Sequence, residues 1–78
     1  MTEEEFKKVA FRFVGSLSMA EEHAMTYGSE DGKLGFCVHT KTNRYGGFGR
    51  SYTHWRIGNA IYKSKKKFLE ALKDYNPS

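Results

Sequence analysis

The residues of this chain best placed to do chemistry are Cys37, His39, Arg50, Tyr52, His54, Arg56 and Lys63. Leu34, Phe36, Val38 and Thr40 alternate with Gly35, Cys37, His39 and Lys41, the period of a half-buried strand. Ser51, Thr53, Trp55 and Ile57 alternate in the same way with Arg50, Tyr52, His54 and Arg56. Gly58-Asn59 fits a two-residue hairpin turn, after which Ala60-Ile61-Tyr62-Lys63 returns as a third strand. Such a turn pairs Ile57 with Ala60, Trp55 with Tyr62 and Arg56 with Ile61. Trp55, Ile57, Ala60 and Tyr62 then share the core face. Arg50, Tyr52, His54, Arg56, Ile61 and Lys63 share the solvent face, joined by His39 and Lys41.

A flat surface of guanidinium, ammonium and aromatic groups suits nucleic acid. Cations neutralise phosphates, and aromatic or arginine planes stack on bases. No acid occurs between Lys33 and Glu70 to offset these charges. A second basic feature opens the last predicted helix. Ser64 fits its N-cap, and Lys65, Lys66 and Lys67 fill its first turn, where the helix dipole disfavours cations but free N–H groups favour phosphate. A third is the stretch Arg44-Tyr45-Gly46-Gly47-Phe48-Gly49-Arg50, which resembles arginine-glycine-aromatic segments that contact RNA. It lacks the Gly-Lys-Ser/Thr of a phosphate loop.

Two other chemistries use the same residues. Cys37, His39 and His54 fall on one face, but they lack the paired spacing of zinc motifs and a clear fourth ligand. Neither a metal nor another cofactor is expected. His39 and His54 could serve as acid and base beside Lys41 or Arg56, as in a small ribonuclease-like hydrolase. No third orienting acid is in view, so the expectation is a non-enzymatic protein.

These side chains need a scaffold. Thr2 with Glu5 makes a capping box, and Phe6, Val9, Ala10, Phe13, Leu17, Ala20 and Ala24 follow helical spacing, with Gly28 as a C-terminal cap. This predicts an N-terminal helix, bent or split at Gly15-Ser16, with a second capping box at Ser18 and Glu21. A strand reading competes, because Val9, Phe11 and Phe13 also alternate. On the helix, Phe11, Met19 and Met25 lie off the apolar stripe. Phe11, together with Phe48 at the loop tip, is therefore a candidate protein or homodimer interface. Phe68, Leu69, Leu72 and Tyr75 give the last helix its apolar side, and Asn76-Pro77 ends it. The expected fold is α+β: residues 1–78 as a single α-β-β-β-α domain, with a three-stranded antiparallel sheet and both helices on one face.

With 78 residues the core is thin. One cysteine excludes an internal disulfide and fits a reducing, cytoplasmic setting. No apolar run approaches a membrane span, and the acidic start is unlike a signal peptide. The charge is lopsided. Residues 1–31 hold seven acids and three bases, and residues 32–78 hold ten bases and two acids. That asymmetry points to a polyanion or an acidic protein surface.

The order helix–strand–strand–strand–helix, with Lys65-Lys66-Lys67 at the last helix start, resembles the double-stranded-RNA-binding domain, whose lysine pattern it matches in part. The last strands and helix also resemble the arm-type domains of integrases. Both resemblances imply nucleic acid as the partner. The leading expectation is a small basic protein that binds nucleic acid or nucleoprotein through Arg44, Arg50, Tyr52, His54, Arg56, Lys63, Lys65, Lys66 and Lys67. The alternative is an inhibitor or adaptor of the phage type, directed at a host protein such as a nuclease or a defence complex.

Overall fold

A computed structural model describes residues 1–42 and 48–75. The order is α1 (Glu3–Lys7), β1 (Phe11–Ser18), β2 (Glu22–Ser29), β3 (Leu34–Thr42), β4 (Phe48–Ile57), β5 (Ala60–Tyr62) and α2 (Lys65–Asp74). All five strands form one antiparallel sheet in the order β1-β2-β3-β4-β5.

This corrects the three-stranded expectation, chiefly in the first segment; in the second half Phe48, expected at a loop tip, opens β4 opposite Thr42. The Thr2–Glu5 capping box forms, but the helix it starts ends at Lys7. The remainder of the expected helix is two strands. Gly15, Ser16 and Ser18 are weak helix formers, whereas Phe11, Phe13, Val14, Thr26 and Tyr27 suit a pleated surface. Tertiary packing decides between the two. As strand residues, Phe11 and Phe13 fall on the same side as the other aromatics. Phe11 lies 5.0 Å from Phe6 and 4.9 Å from Phe36 between ring centroids, and Phe13 lies 5.8 Å from Tyr27. A helix would have left Phe11 in water. Gly28, expected to cap that helix, is a buried residue inside β2. Ser18, expected to cap a second helix, instead hydrogen-bonds the His23 ring through Oγ at 2.8 Å. With β1 and β2 in place of a long helix, the helix–strand–strand–strand–helix order on which the likeness to the double-stranded-RNA-binding domain rested is not the order of this chain.

The second half follows the predicted alternation. Ile57 pairs with Ala60, Trp55 with Tyr62 and Arg56 with Ile61. Gly58 takes φ +60°, the left-handed conformation that this turn requires and that glycine adopts without a Cβ clash. β3 sits against β4 with Phe36 opposite Trp55 and Cys37 opposite His54. Strand parity then sets two faces.

Both helices lie on the face of Leu34, Phe36, Trp55, Ile57 and Tyr62. Phe6, Leu34, Phe68 and Leu72 form the buried centre there. Phe68 is the hub: its ring packs edge-on against Phe6 at 5.0 Å and stacks on Trp55 at 5.4 Å. The Met1 amino nitrogen donates to the carbonyls of Leu72 and Tyr75 at 3.0 and 2.7 Å, tying the chain start to the end of α2. The helices are short against a molecule 46 Å long, and neither lies on the opposite face of the sheet. Among the described residues, no helix is long and apolar enough to cross a membrane.

Candidate functional site

The helix-free face is built from alternate residues of all five strands. Cross-strand pairing puts Glu22 beside Lys41, Ala24 beside His39 and Tyr52, and Thr26 beside Cys37 and His54. The next row runs Arg12, Gly28, Gly35, Arg56, Ile61. Arg50 lies one step beyond Tyr52 on β4. Lys63 follows β5, close enough for its charge to act on the His54 ring.

At the centre, three rings touch. His39 and Tyr52 stack almost parallel, 4.6 Å apart and 4° from coplanar. His54 closes the group at 4.6 Å from His39 and 5.3 Å from Tyr52. Cross-strand aromatic pairs of this kind stabilise a sheet modestly and hold the rings in fixed planes. Glu22 anchors the group from β2. Its Oε1 accepts a short hydrogen bond from the Tyr52 hydroxyl, and its Oε2 lies 3.4 Å from Nδ1 of His39. The Tyr52 hydrogen bond holds the Glu22 carboxyl below its ordinary range, with His39 and Lys41 adding to the effect. The same bond pushes the Tyr52 phenol up. Glu22 is thus ionised, and it is engaged by this ring group.

His54 behaves differently. Partial burial, then the neighbouring His39 and Lys63, lower its pKa. A lowered folded value means that the native state favours the neutral ring. The stability this contributes is present above the unfolded value of ~6.5 and is lost as pH falls toward the folded value. A proton NMR titration is expected to place the His54 Cε1–H midpoint below ~6.5. A midpoint at or above that value would contradict the packing described.

Arg56 is held flat rather than projecting. Its Nη1 donates to the Gly58 carbonyl at 2.6 Å. Its guanidinium also lies over Gly35, where an added Cβ would come within 3.2 Å of Nη2 and 2.9 Å of the Tyr27 carbonyl oxygen. Gly35 is needed for that close approach. Thr26, Cys37, His54, Arg56 and Ile61 line a shallow depression of about 190 Å³ beside the rings. There the Thr26 hydroxyl donates to the Cys37 thiol at 3.4 Å.

The structure therefore brings Tyr52, His54, Arg56 and Lys63 onto or beside one face, with His39 and Lys41, while Arg50 lies where the pairing of β4 with β3 shifts, between the partners of Thr40 and Thr42. It does not bring the helix lysines there. Lys65, Lys66 and Lys67 start α2, which packs on the opposite face, and Lys65 is paired with Glu3 at 3.1 Å. Phe11 is half-buried against Phe6 and Phe36, as a core residue would be. Arg44 and the side chain of Phe48 lie outside the described residues.

Two members of the site escaped the sequence reading. Glu22 and Arg12 reach this face only because β1 and β2 extend the sheet. The alternation Glu22, Ala24, Thr26 was the one local sign of it.

His39 and His54, the expected acid–base pair, pack 4.6 Å apart between ring centroids. Among the described residues, no three His, Cys, Asp or Glu side chains come together as metal ligands. What the face offers is a packed group of three rings with Lys41, Arg56 and Lys63 near it. No family model, curated protein or solved structure matches this chain.

Proposed function

We propose that this protein binds nucleic acid, and single strands in preference to duplex, on the helix-free face of its sheet. One observation carries the reading. Lys41, Arg56 and Lys63 lie beside the stacked His39–Tyr52–His54 group, Arg50 follows it along β4, Arg12 shares the row of Arg56, and Glu22, on the same face, is engaged by that group. Tyr52, the exposed member of the ring group, offers unpaired bases an aromatic contact that does not depend on sequence. The cations match the phosphates on either side. The protein has no catalytic part in this reading, and its free Cys37 suits a reducing, cytoplasmic setting.

Fluorescence anisotropy with a labelled single-stranded oligonucleotide tests it. Affinity is expected to fall with salt, with a log–log slope of roughly −3 if four cations each meet one phosphate. A slope near zero, or no binding at low salt, would overturn the proposal. The rival reading, an inhibitor or adaptor that uses the same face against an acidic protein, predicts that second outcome. It would be pursued by pull-down from nuclease-treated lysate.

A further inference from the structure

We infer that β1 is a self-pairing edge, through which two copies of this chain join their sheets antiparallel about a two-fold axis at Val14/Gly15. Exposed edge strands normally carry lysine, proline, inward charge or a bulge that discourages pairing. β1 has neither lysine nor proline, and its one charged residue is Arg12. Phe13, Val14 and Leu17 on it are 53%, 65% and 60% exposed, the highest values for large apolar residues apart from Ile61.

The bulge fixes how a second copy fits. Pairing with β2 shifts between Phe13 and Gly15, so Val14 is an extra residue. Phe11, Phe13, Ser16 and Ser18 therefore point to the helix face, and Arg12, Val14, Gly15 and Leu17 to the open face. Opposed residues of an antiparallel pair must share a face. Setting Val14 against the second copy's Gly15 puts Phe13 against Ser16, Arg12 against Leu17 and Phe11 against Ser18, and every pair then matches. Moving the register two residues either way opposes residues from different faces at the bulge. A bulge that would spoil pairing with a straight strand is thus self-complementary on the two-fold axis.

Charge agrees. Lys8 and Arg12 lie at the start of β1, and Glu21 follows its end, all exposed. A two-fold antiparallel arrangement sets the basic end of one copy against the acidic end of the other. A strand of eight residues is an edge of about 27 Å. Its buried area falls near the ~1,000 Å² floor for a specific interface, so the dimer is expected to depend on concentration. Joining the copies would run the two open faces into one surface with both Arg12 side chains at the seam.

Sedimentation equilibrium of the full chain, without oligonucleotide, tests this independently of nucleic-acid binding. A monomer–dimer equilibrium is expected, with amides of residues 12–17 exchanging roughly tenfold slower at high protein concentration than at low. Val14→Lys is expected to weaken the dimer by about tenfold or more. Lys8→Glu and Glu21→Lys, at exposed positions that this register sets opposite one another, should each weaken it, and the double variant should recover. A chain that stays monomeric up to ~1 mM overturns the inference, since interfaces of this size hold at lower concentration. So does a dimer whose β1 amides exchange equally fast at both concentrations, or one in which the double charge reversal does not recover.

Discussion

Phe68→Ala is expected to remove a third or more of the protein's stability. The ring is fully buried at the point where α1, α2 and the sheet meet. It touches Phe6, Trp55 and Tyr62 at centroid distances of 5.0, 5.4 and 6.3 Å. Removing a buried phenylalanine costs about 3–5 kcal/mol through lost transfer energy and a residual cavity. A 78-residue chain has roughly 4–12 kcal/mol in all. The buried centre consists of Phe6, Leu34, Phe68 and Leu72, so few neighbours can collapse into the space. Urea denaturation followed by circular dichroism should show the midpoint reduced by a third or more of its wild-type value. A shift smaller than ~1 kcal/mol would mean that α2 is not what holds the sheet's covered face.

Removing Lys41, Arg50 and Lys63 together is expected to weaken single-strand binding by at least roughly thirtyfold at low salt, and to flatten the salt slope by about 2. These three are exposed and flank the ring group on β3, on β4 and just past β5. None of them supports the core, so the triple alanine variant should fold as the wild type does. The comparison that gives this prediction its force is Lys66→Ala with Lys67→Ala. Those lysines are equally exposed but belong to the helix-bearing side, and their removal should cost less than about threefold. Equal losses from the two sets would mean that net charge, not this face, drives association. Tyr52→Ala separates stacking from charge. It should lower affinity by about 1–3 kcal/mol of base stacking while leaving the salt slope unchanged.

How much of this could be read from the sequence depends on how local the determinants are. Strands β3 to β5 were legible because their alternation is short-range and Gly58-Asn59 sets the register by itself. That register put Tyr52, His54 and Arg56 on the face opposite Trp55, whereas Arg50 falls where the pairing of β4 with β3 shifts. The first 31 residues were not legible in the same way. Phe6, Val9, Phe13 and Leu17 satisfy helical spacing by coincidence, and the same stretch satisfies strand alternation through Phe11 and Phe13. Only contacts with Tyr27 and Phe36 choose between them, and those depend on pairings far along the chain. The same gap hid Glu22. Its bonds to Tyr52 and His39 exist because β2 lies beside β3, a fact carried by no residue near Glu22. The flat posture of Arg56 was also hidden, since it needs the bare backbone of Gly35 opposite it. Finally, Lys65, Lys66 and Lys67 looked continuous with Lys63 in sequence, but the chain turns over the sheet edge at Ser64 and carries them to the other side.

The most direct test is a chemical-shift map of the labelled protein, titrated at low salt with a short single-stranded oligonucleotide. Resonances of His39, Tyr52 and His54 should move most, with Lys41 and Arg50 beside them, while Phe68 and Leu72 stay in place. Shifts confined to the α2 side, or a spectrum unchanged by oligonucleotide, would contradict the assignment of this face to nucleic acid.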